Sequence, residues 1–269
     1  GKPVVSVELR PPMAELNATA GMDAWIDTYH SVSGLVRDGM PVFLTDSAVG
    51  VREEHNLRHL VTNLGTRVPR DQVVPFLTSK HSLDFCLNYA ERAWHEGFSS
   101  LVVLGGDTSV GAPRCVEHAW QLREQIHAHV PDLTLGGWAN PHADAERQAG
   151  FLAERFFADF FLTQIVSHHH RPKVEAFLGA CARRGITKPG IFGVFYYRSA
   201  NRKTLETLGR FLPVPVEGLL KEFGEDLTPE DVCAATIRGL RASGVKHIYV
   251  SNLPVHRARQ TLANILARV

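Results

Sequence analysis

The stretch Val4-Val5-Ser6-Val7-Glu8-Leu9-Arg10-Pro11-Pro12 decides which α/β fold the chain adopts. Its apolar and β-branched residues predict a strand from Val4 to Leu9. In an open, doubly wound sheet that binds a dinucleotide, a glycine-rich G-x-G-x-x-G turn follows the first strand. Here the strand runs directly into two prolines, and that turn is absent. The stretch therefore favours a closed barrel over the open sheet.

Short apolar runs like this one recur along the chain, and each precedes a longer segment whose apolar residues fall at helical spacing. This alternation is typical of βα units and a parallel sheet. The predicted strands are Val4 to Leu9, Pro41 to Thr45, Val73 to Thr78, Ser100 to Gly105, Leu133 to Gly137, Phe160 to Gln164, Gly190 to Tyr196, and Lys246 to Ser251. The predicted helices are Ala24 to Asp38, His55 to Leu64, Ser82 to Glu96, Cys115 to Val130, Asp144 to Ala158, Arg171 to Arg184, Lys203 to Leu212, Pro229 to Ala242, and the closing segment Val255 to Ala267.

Chain length selects between the barrel and the open sheet. A (β/α)8 TIM barrel takes about 250 residues, and this chain has 269. We therefore predict an α/β fold in which residues 1–269 form a single (β/α)8 TIM barrel, with no room for a second domain.

Composition and charge exclude several classes of function. The 29 basic and 28 acidic residues are scattered and form no basic stripe, which argues against a nucleic-acid partner. No apolar run approaches the roughly 18 to 20 residues that cross a bilayer, and no charged-then-apolar leader opens the chain. We expect a cytoplasmic protein without a membrane partner, and the pattern leaves its oligomeric state open. The four cysteines form no CxxC pair, so we expect reduced and mostly buried thiols.

The candidate functional residues are polar side chains at the ends of the predicted strands. In a TIM barrel the reacting groups project from the C-terminal ends of the strands. The residues at these positions are Glu8, Thr45, Asp46, Thr78, Gly106, Asp107, Trp138, Thr163, Gln164, Tyr196 and Tyr197.

Glu8 is the candidate general acid. Strand alternation places Ser6 and Glu8 on one face, and Val7 and Leu9 on the other. A carboxylate that faces a barrel interior is costly unless it is paired or functional. Desolvation would raise its pKa and keep it protonated, as a general acid requires. The alternative is a structural carboxylate bonded to the backbone or to Arg10.

Two further strand ends, Gly105 to Asp107 and Gln164, each have a functional and a structural interpretation. Gly105 and Gly106 permit close approach of a ligand before Asp107, or they form only a turn or a helix cap. The amide of Gln164 can donate to and accept from a heterocycle in one plane, or it can bond a neighbouring strand end.

Two eye-catching clusters are interpreted structurally. His168, His169 and His170 are not predicted to bind a metal, because consecutive residues do not point to one centre and no carboxylate stands at a helical i+3 or i+4 position. We expect a solvated loop there. The aromatic residues between Phe156 and Phe161 are expected to pack a helix against its following strand.

Four short motifs, in chain order, resemble those of the methylenetetrahydrofolate reductase family. Val7 to Pro12 resembles its opening F-E-F-F-P-P, and Val103 to Asp107 resembles L-R-G-D. Leu162 to Gln164 resembles I-T-Q, and Pro189 to Ile191 resembles P-G-I. The chain is thus similar to this family along nearly its whole length.

The resemblance implies a reduction of 5,10-methylenetetrahydrofolate by a nicotinamide dinucleotide. Glu8 matches the proton-donating glutamate of the family, and Asp107 matches an aspartate beside the pterin and the redox centre. Gln164, with Thr163, matches the residues that hold the folate, and Tyr197 falls close to an aromatic that packs on the substrate. The candidates for cofactor binding are Thr45, Thr78, Gly106 and Trp138.

Departures from the family pattern concern the flavin, since the family usually carries FAD. Phe76, Gly105 and Ala153 stand where the family has a histidine, an arginine and a lysine that contact it. Their loss removes charge-assisted contacts to an anionic dinucleotide, although Lys80, Arg147 and Arg155 offer other charges. We therefore predict a flavin-free reductase in which NADH or NADPH gives its hydride directly to the folate.

Three alternatives remain at this stage. The first is an FAD-containing reductase of the same family. The second is a barrel that binds a pterin for methyl transfer without redox chemistry, and the third is a regulatory barrel that binds ligand without turnover.

Overall fold

The structure is a computed structural model that describes residues 3–12, 16–45, 56–65, 67–107 and 111–269. Eight strands follow chain order in a closed barrel, and every pairing described is parallel. The strands are β1 (Val5–Leu9), β2 (Val42–Leu44), β3 (Val73–Thr78), β4 (Ser100–Leu104), β5 (Thr134–Ala139), β6 (Phe160–Val166), β7 (Gly190–Phe195) and β8 (His247–Ser251). The predicted (β/α)8 TIM-barrel fold class is confirmed.

Helices alternate with these strands. They are α1 (Ala18–Arg37), α2 (Asn56–Leu64), α3 (Leu83–His95), α4 (Ala119–His129), α5 (Ala145–Ala153), α6 (Arg171–Arg183), α7 (Arg202–Gly209), α8 (Val216–Gly224), α9 (Pro229–Ala242) and α10 (Ala258–Leu266). Asp46 and His55, which the sequence placed at the end of a strand and the start of a helix, lie outside the described residues.

Three predicted helix boundaries were wrong by four residues or more. α1 begins six residues before the predicted Ala24, because the Asn17 side chain caps it by accepting from the amide of Ala20 at 3.0 Å. α5 ends at Ala153 instead of Ala158, and Phe157 beyond it has a positive φ of 44° that no helix accommodates. α4 begins four residues later than predicted, at Ala119.

The helix α8 was not predicted at all. It begins directly after Pro215 and spans nine residues. Its Leu219 is fully buried in a cluster with Tyr197, Leu205 and Val232. Val216, Leu220 and Phe223 pack against the same cluster and, with Leu219, stand at helical spacing, so the sequence carried a signal for this short helix.

The chain divides into two compact units by its internal contacts. The first, here called the N-terminal unit, comprises Ser6–Gly137 and Phe156–Phe160. The second, the C-terminal unit, comprises Gly1–Val5, Trp138–Arg155 and Phe161–Val269. Of the described candidate residues, Glu8, Thr45, Thr78, Gly106 and Asp107 fall in the former, and the others fall in the latter.

Two expectations from composition can be compared with the structure. All four cysteines are free, and Cys86, Cys181 and Cys233 are buried, so the prediction of mostly buried thiols is confirmed. Among the described residues, no helix has the combination of length and hydropathy that a bilayer crossing requires.

Candidate functional site

The inner face of the sheet in the N-terminal unit can be identified from two glycines of β5. A Cβ on Gly137 would lie 2.4 Å from the ring of Phe156. That ring lies 4.9 Å from the guanidinium carbon of Arg123 in α4, so Gly137 faces the helices. A Cβ on Gly136 would point the opposite way and lie 2.9 Å from Val102. Val102 therefore belongs to the inner face.

The pairing of residues between neighbouring strands shows that Glu8 lies on the same face as Val102. Val102 pairs with Phe76, and Val74, two residues earlier on the same strand, pairs with Phe43. Phe43 in turn pairs with Glu8. Because paired residues of parallel strands share a face, the half-buried Glu8 lies on the inner face, on the side that strand alternation indicated.

The inner-face residue that pairs with Glu8 is apolar. The rings of Phe43 and Phe76 meet edge to face with their centroids 6.0 Å apart. Thr78, two residues beyond Phe76 on β3, shares the inner face and is only 2% exposed. Thr45 extends the pairing of β1 and β2, since its amide donates to the carbonyl of Leu9 at 3.1 Å. These residues lie at the C-terminal ends of neighbouring parallel strands.

The turn after β4 is built around an arginine that sequence reasoning missed. Nη2 of Arg114 donates to the carbonyl of Gly106 at 2.5 Å, and Gly106 has a φ of 71° that suits glycine. A Cβ on Gly105 would lie 2.8 Å from the guanidinium carbon of Arg114. Gly105 therefore leaves the space that this guanidinium fills, directly before the half-buried Asp107.

An open concavity of about 410 Å³ lies beside this turn, and its walls include Lys80, Arg114, Cys115 and Glu117. Lys80 is 5% exposed, and its Nζ donates to the carbonyl of Ala112 at 2.7 Å. Within the described ranges, the buried Nε of Arg114 has no hydrogen-bond partner. Two cations at the C-terminal ends of β3 and β4 make this concavity suited to an anionic group.

In the C-terminal unit, Thr163 and Gln164 form a bulge in β6. The register with β7 shifts between Leu162 and Ile165, and such bulges re-aim side chains. The fully buried Thr163 holds the bulge, since its Oγ1 donates to the carbonyl of Gln164 at 2.9 Å and accepts from the amide of Gly193 at 3.2 Å. Tyr249 adds a third bond, from its hydroxyl to the Thr163 carbonyl at 2.7 Å.

The side chain of Gln164 is held by one hydrogen bond and keeps hydrogen-bonding capacity. Its Oε1 accepts from the amide of Ile165 at 2.9 Å. Its amide nitrogen makes no hydrogen bond within the part of the chain that the structure describes. The alternative in which Gln164 bonds a neighbouring strand end is therefore not what this structure shows, and the amide keeps donors for a ligand.

Tyr197 and Trp138 are placed differently from the strand-end polar groups. Tyr197 is 5% exposed and packs in the core cluster with α7, α8 and α9, its ring centroid 4.9 Å from that of Phe195. Burial raises the pKa of its phenol above the ordinary value. The structure thus gives Tyr197 a packing role, whereas Trp138 near the end of β5 is half-buried.

The histidine run is not the loop that was expected, although none of its three residues is buried. His168, His169 and His170 form a 3-10 turn directly after β6. Nε2 of His168 lies 2.6 Å from Oε1 of Glu222, and Nε2 of His169 lies 3.2 Å from Oε2 of the same carboxylate. The carboxylate comes from α8, 54 positions beyond His168 in the chain, so a search limited to local helical spacing could not find it.

Comparison with solved structures shows the fold. The chain matches QR15, an aldolase, over 97% of its length and 96% of that chain, with 10% identity and a TM-score of 0.50. It matches an F420-dependent secondary alcohol dehydrogenase in complex with an F420-acetone adduct over 100% and 99%, with 10% identity and a TM-score of 0.57. It matches dihydropteroate synthase from Thermus thermophilus in complex with 6HMPPP over 100% and 95%, with 14% identity and a TM-score of 0.50.

These neighbours are TIM-barrel enzymes of three different activities, so the likeness describes the scaffold. No family model matches the sequence, and no curated relative does. The function of the chain therefore depends on the side chains of the candidate site.

Proposed function

We propose that the protein is an oxidoreductase that reduces 5,10-methylenetetrahydrofolate to 5-methyltetrahydrofolate with hydride from NADH or NADPH, without a flavin. One observation carries this proposal. A carboxyl group, Glu8, stands half-buried on the inner face of the sheet beside an apolar wall of Phe43 and Phe76. A carboxyl group that is partly sheltered from water is suited to act as a proton donor.

The reaction needs one proton and one hydride. Protonation at N10 of the folate breaks the bond between N10 and the methylene carbon, and leaves a 5-iminium cation. The dihydronicotinamide of NADH or NADPH would supply the hydride that reduces this carbon to methyl, and would itself be oxidised to NAD+ or NADP+. In the proposal Glu8 gives the proton, directly or through one water.

Two other residues support this chemistry. Asp107 follows the Gly105-Gly106 turn, and its carboxylate would stabilise the iminium cation electrostatically. Gln164 offers the amide donors that its bond to Ile165 leaves available, and would orient the pterin. Thr163 acts in this scheme by holding the bulge that aims Gln164.

The concavity beside β3 and β4 supports a dinucleotide ligand. Its Arg114 guanidinium and Lys80 ammonium are of the kind that binds a pyrophosphate through charge-assisted hydrogen bonds. Two side chains disfavour a bound flavin. Phe76 packs against Phe43 where the reductase family has a polar flavin contact, and Ala153 is an exposed methyl group at the end of α5.

An FAD-containing reductase is the second candidate, and one observation favours it. Arg114 places a guanidinium where the side chain of residue 105 would be, and so restores in space the arginine that position 105 lacks. A cation there serves either dinucleotide. The absorbance spectrum of the purified protein decides, since bound flavin is coloured and the flavin-free enzyme is not.

The test of the reaction is NADH oxidation on addition of 5,10-methylenetetrahydrofolate. Glu8→Gln is expected to abolish turnover while folate still binds, because the amide keeps the shape but carries no transferable proton. Glu124→Gln, which alters an exposed carboxylate on α4, is the matched control and is expected to keep the wild-type rate. A Glu8→Gln enzyme with a near-normal rate refutes the assignment, and a barrel that only binds pterin oxidises no NADH.

A further inference from the structure

Three potential metal ligands from two separate elements converge in the C-terminal unit. The ligand atoms of His168, His169 and Glu222 all lie within 4.8 Å of one another. The side chains are partly sheltered, at 21%, 27% and 16% exposure. Two imidazoles thus direct their Nε2 atoms to the two oxygens of one carboxylate.

The helices around this cluster are shaped to admit the imidazole rings. A Cβ on Gly218 of α8 would lie 2.5 Å from Cε1 of His169. A Cβ on Gly239 of α9 would lie 3.1 Å from the Cβ of His168. Both histidines therefore occupy space that larger residues at these two positions would take.

His168 also has the outer hydrogen bond that metal-binding histidines use. Its Nδ1 lies 2.9 Å from the hydroxyl of Thr236 in α9, which fixes the ring and leaves Nε2 directed at Glu222. Partners of this kind orient the ring of a ligating histidine. A pair of histidines on a freely rotating surface loop would not carry this support.

We propose that Nε2 of His168, Nε2 of His169 and the carboxylate of Glu222 bind a divalent transition metal of the zinc class. Zinc takes imidazole nitrogen and carboxylate oxygen at about 2.0 to 2.2 Å, so the ligand atoms of a tetrahedral site stand about 3.3 Å apart. The two Nε2-to-carboxylate separations, 2.6 Å and 3.2 Å, are close to that value, and the three ligand atoms all lie within 4.8 Å of one another.

The donor set selects among metals. Two nitrogens and one carboxylate suit zinc, cobalt or nickel, whereas calcium and magnesium take oxygen ligands. Three protein ligands leave the fourth tetrahedral position for a water. This inference concerns the C-terminal unit alone and does not depend on the proposed reductase activity.

The test is a calorimetric titration, in which zinc chloride is added to the full chain after a chelator has removed any bound metal. Cobalt chloride serves as a second probe, since its visible absorbance reports tetrahedral coordination. We expect one zinc per chain. Glu222→Gln is expected to weaken binding by about 100-fold or more, and Thr236→Val by about 10- to 100-fold.

Gly218→Ala tests the geometry of the site most specifically, because it keeps every ligand and displaces only the His169 ring. We expect it to weaken zinc binding while the circular dichroism spectrum stays that of the wild type.

A matched control exists in the N-terminal unit, where Glu91 lies 4.0 Å from His95 and 3.5 Å from His129 on a more exposed surface. Glu91→Gln is expected to leave zinc binding unchanged. The proposal is overturned if the wild type binds no stoichiometric zinc. It is equally overturned if folded Glu222→Gln and Gly218→Ala proteins bind zinc as tightly as the wild type.

Discussion

Tyr249 holds the bulge that presents Gln164, and its hydroxyl can be removed without changing the shape of the ring. The side chain is fully buried, and its hydroxyl donates to the Thr163 carbonyl at 2.7 Å. Gly193 leaves room for this phenol, since a Cβ there would lie 2.4 Å from the hydroxyl oxygen. Tyr249→Phe therefore leaves one buried carbonyl without its hydroxyl donor, while the ring packing is retained.

The expected cost follows from that lost bond. A buried acceptor left without a partner costs about 1 to 3 kcal/mol, and we expect the free energy of unfolding to fall by that amount. For a chain of this size each kcal/mol corresponds to a fall of about 2 to 4 °C in the midpoint of thermal unfolding. Under the proposed function the KM for the folate also rises, because the bulge no longer holds Gln164 as firmly.

Urea denaturation measures the stability change, with the m-value as a check that both states keep their compactness. Tyr29→Phe is the matched control, because Tyr29 in α1 is partly buried and no described residue bonds its hydroxyl. We expect the control to stay within about 0.5 kcal/mol of the wild type. If Tyr249→Phe costs no more than the control, the hydroxyl does not hold the bulge.

Three further predictions address charge. Arg123 is 5% exposed and donates to two backbone carbonyls at 2.9 Å each. Arg123→Met is expected to lower the free energy of unfolding by about 2 to 5 kcal/mol in a denaturation experiment, because both carbonyls lose their donor. A change below about 1 kcal/mol would contradict this. Arg114→Gln is expected to raise the KM for NADH about tenfold or more in steady-state kinetics, while the exposed Arg92→Gln leaves it unchanged; equal KM values would exclude Arg114 from dinucleotide binding. Burial lowers the pKa of His247, whose Nδ1 accepts from the amide of Val4 at 3.1 Å. The neutral imidazole therefore adds its full contribution to the free energy of unfolding above about pH 6.5. This contribution is lost as the pH falls through the lower folded-state pKa. Thermal midpoints of His247→Gln should accordingly fall less than those of the wild type between about pH 7 and about pH 5, and parallel curves would refute this.

The strands were predictable because the sequence carries their signal locally. β3 runs from Val73 to Thr78, as predicted, and β8 ends at Ser251, as predicted. Both are continuous apolar runs with polar or turn-forming residues beside them, which is the pattern of strands buried on both faces. The helix α8 was missed although Val216, Leu219, Leu220 and Phe223 stand at helical spacing, because a segment of nine residues is shorter than the helices that periodicity identifies well.

Some features of the candidate site follow from local sequence, and others depend on tertiary contacts. Strand alternation sufficed to predict the face on which Glu8 lies, because it depends on the strand alone. The position of Arg114 depends on the path of a loop back to Gly105, and the contact of His168 with Glu222 joins residues 54 positions apart. Neither contact follows a local spacing rule, so the sequence by itself could not predict them.

Transfer of a labelled hydride tests the central claim most directly. The purified protein is given NADH carrying two deuterium atoms at C4, together with 5,10-methylenetetrahydrofolate, and the product is analysed by mass spectrometry. Direct transfer predicts 5-methyltetrahydrofolate with one deuterium in its methyl group for each NADH oxidised. A methyl group without the label, as exchange through a flavin would give, contradicts the flavin-free route, and the absence of any methyl product contradicts the reductase assignment itself.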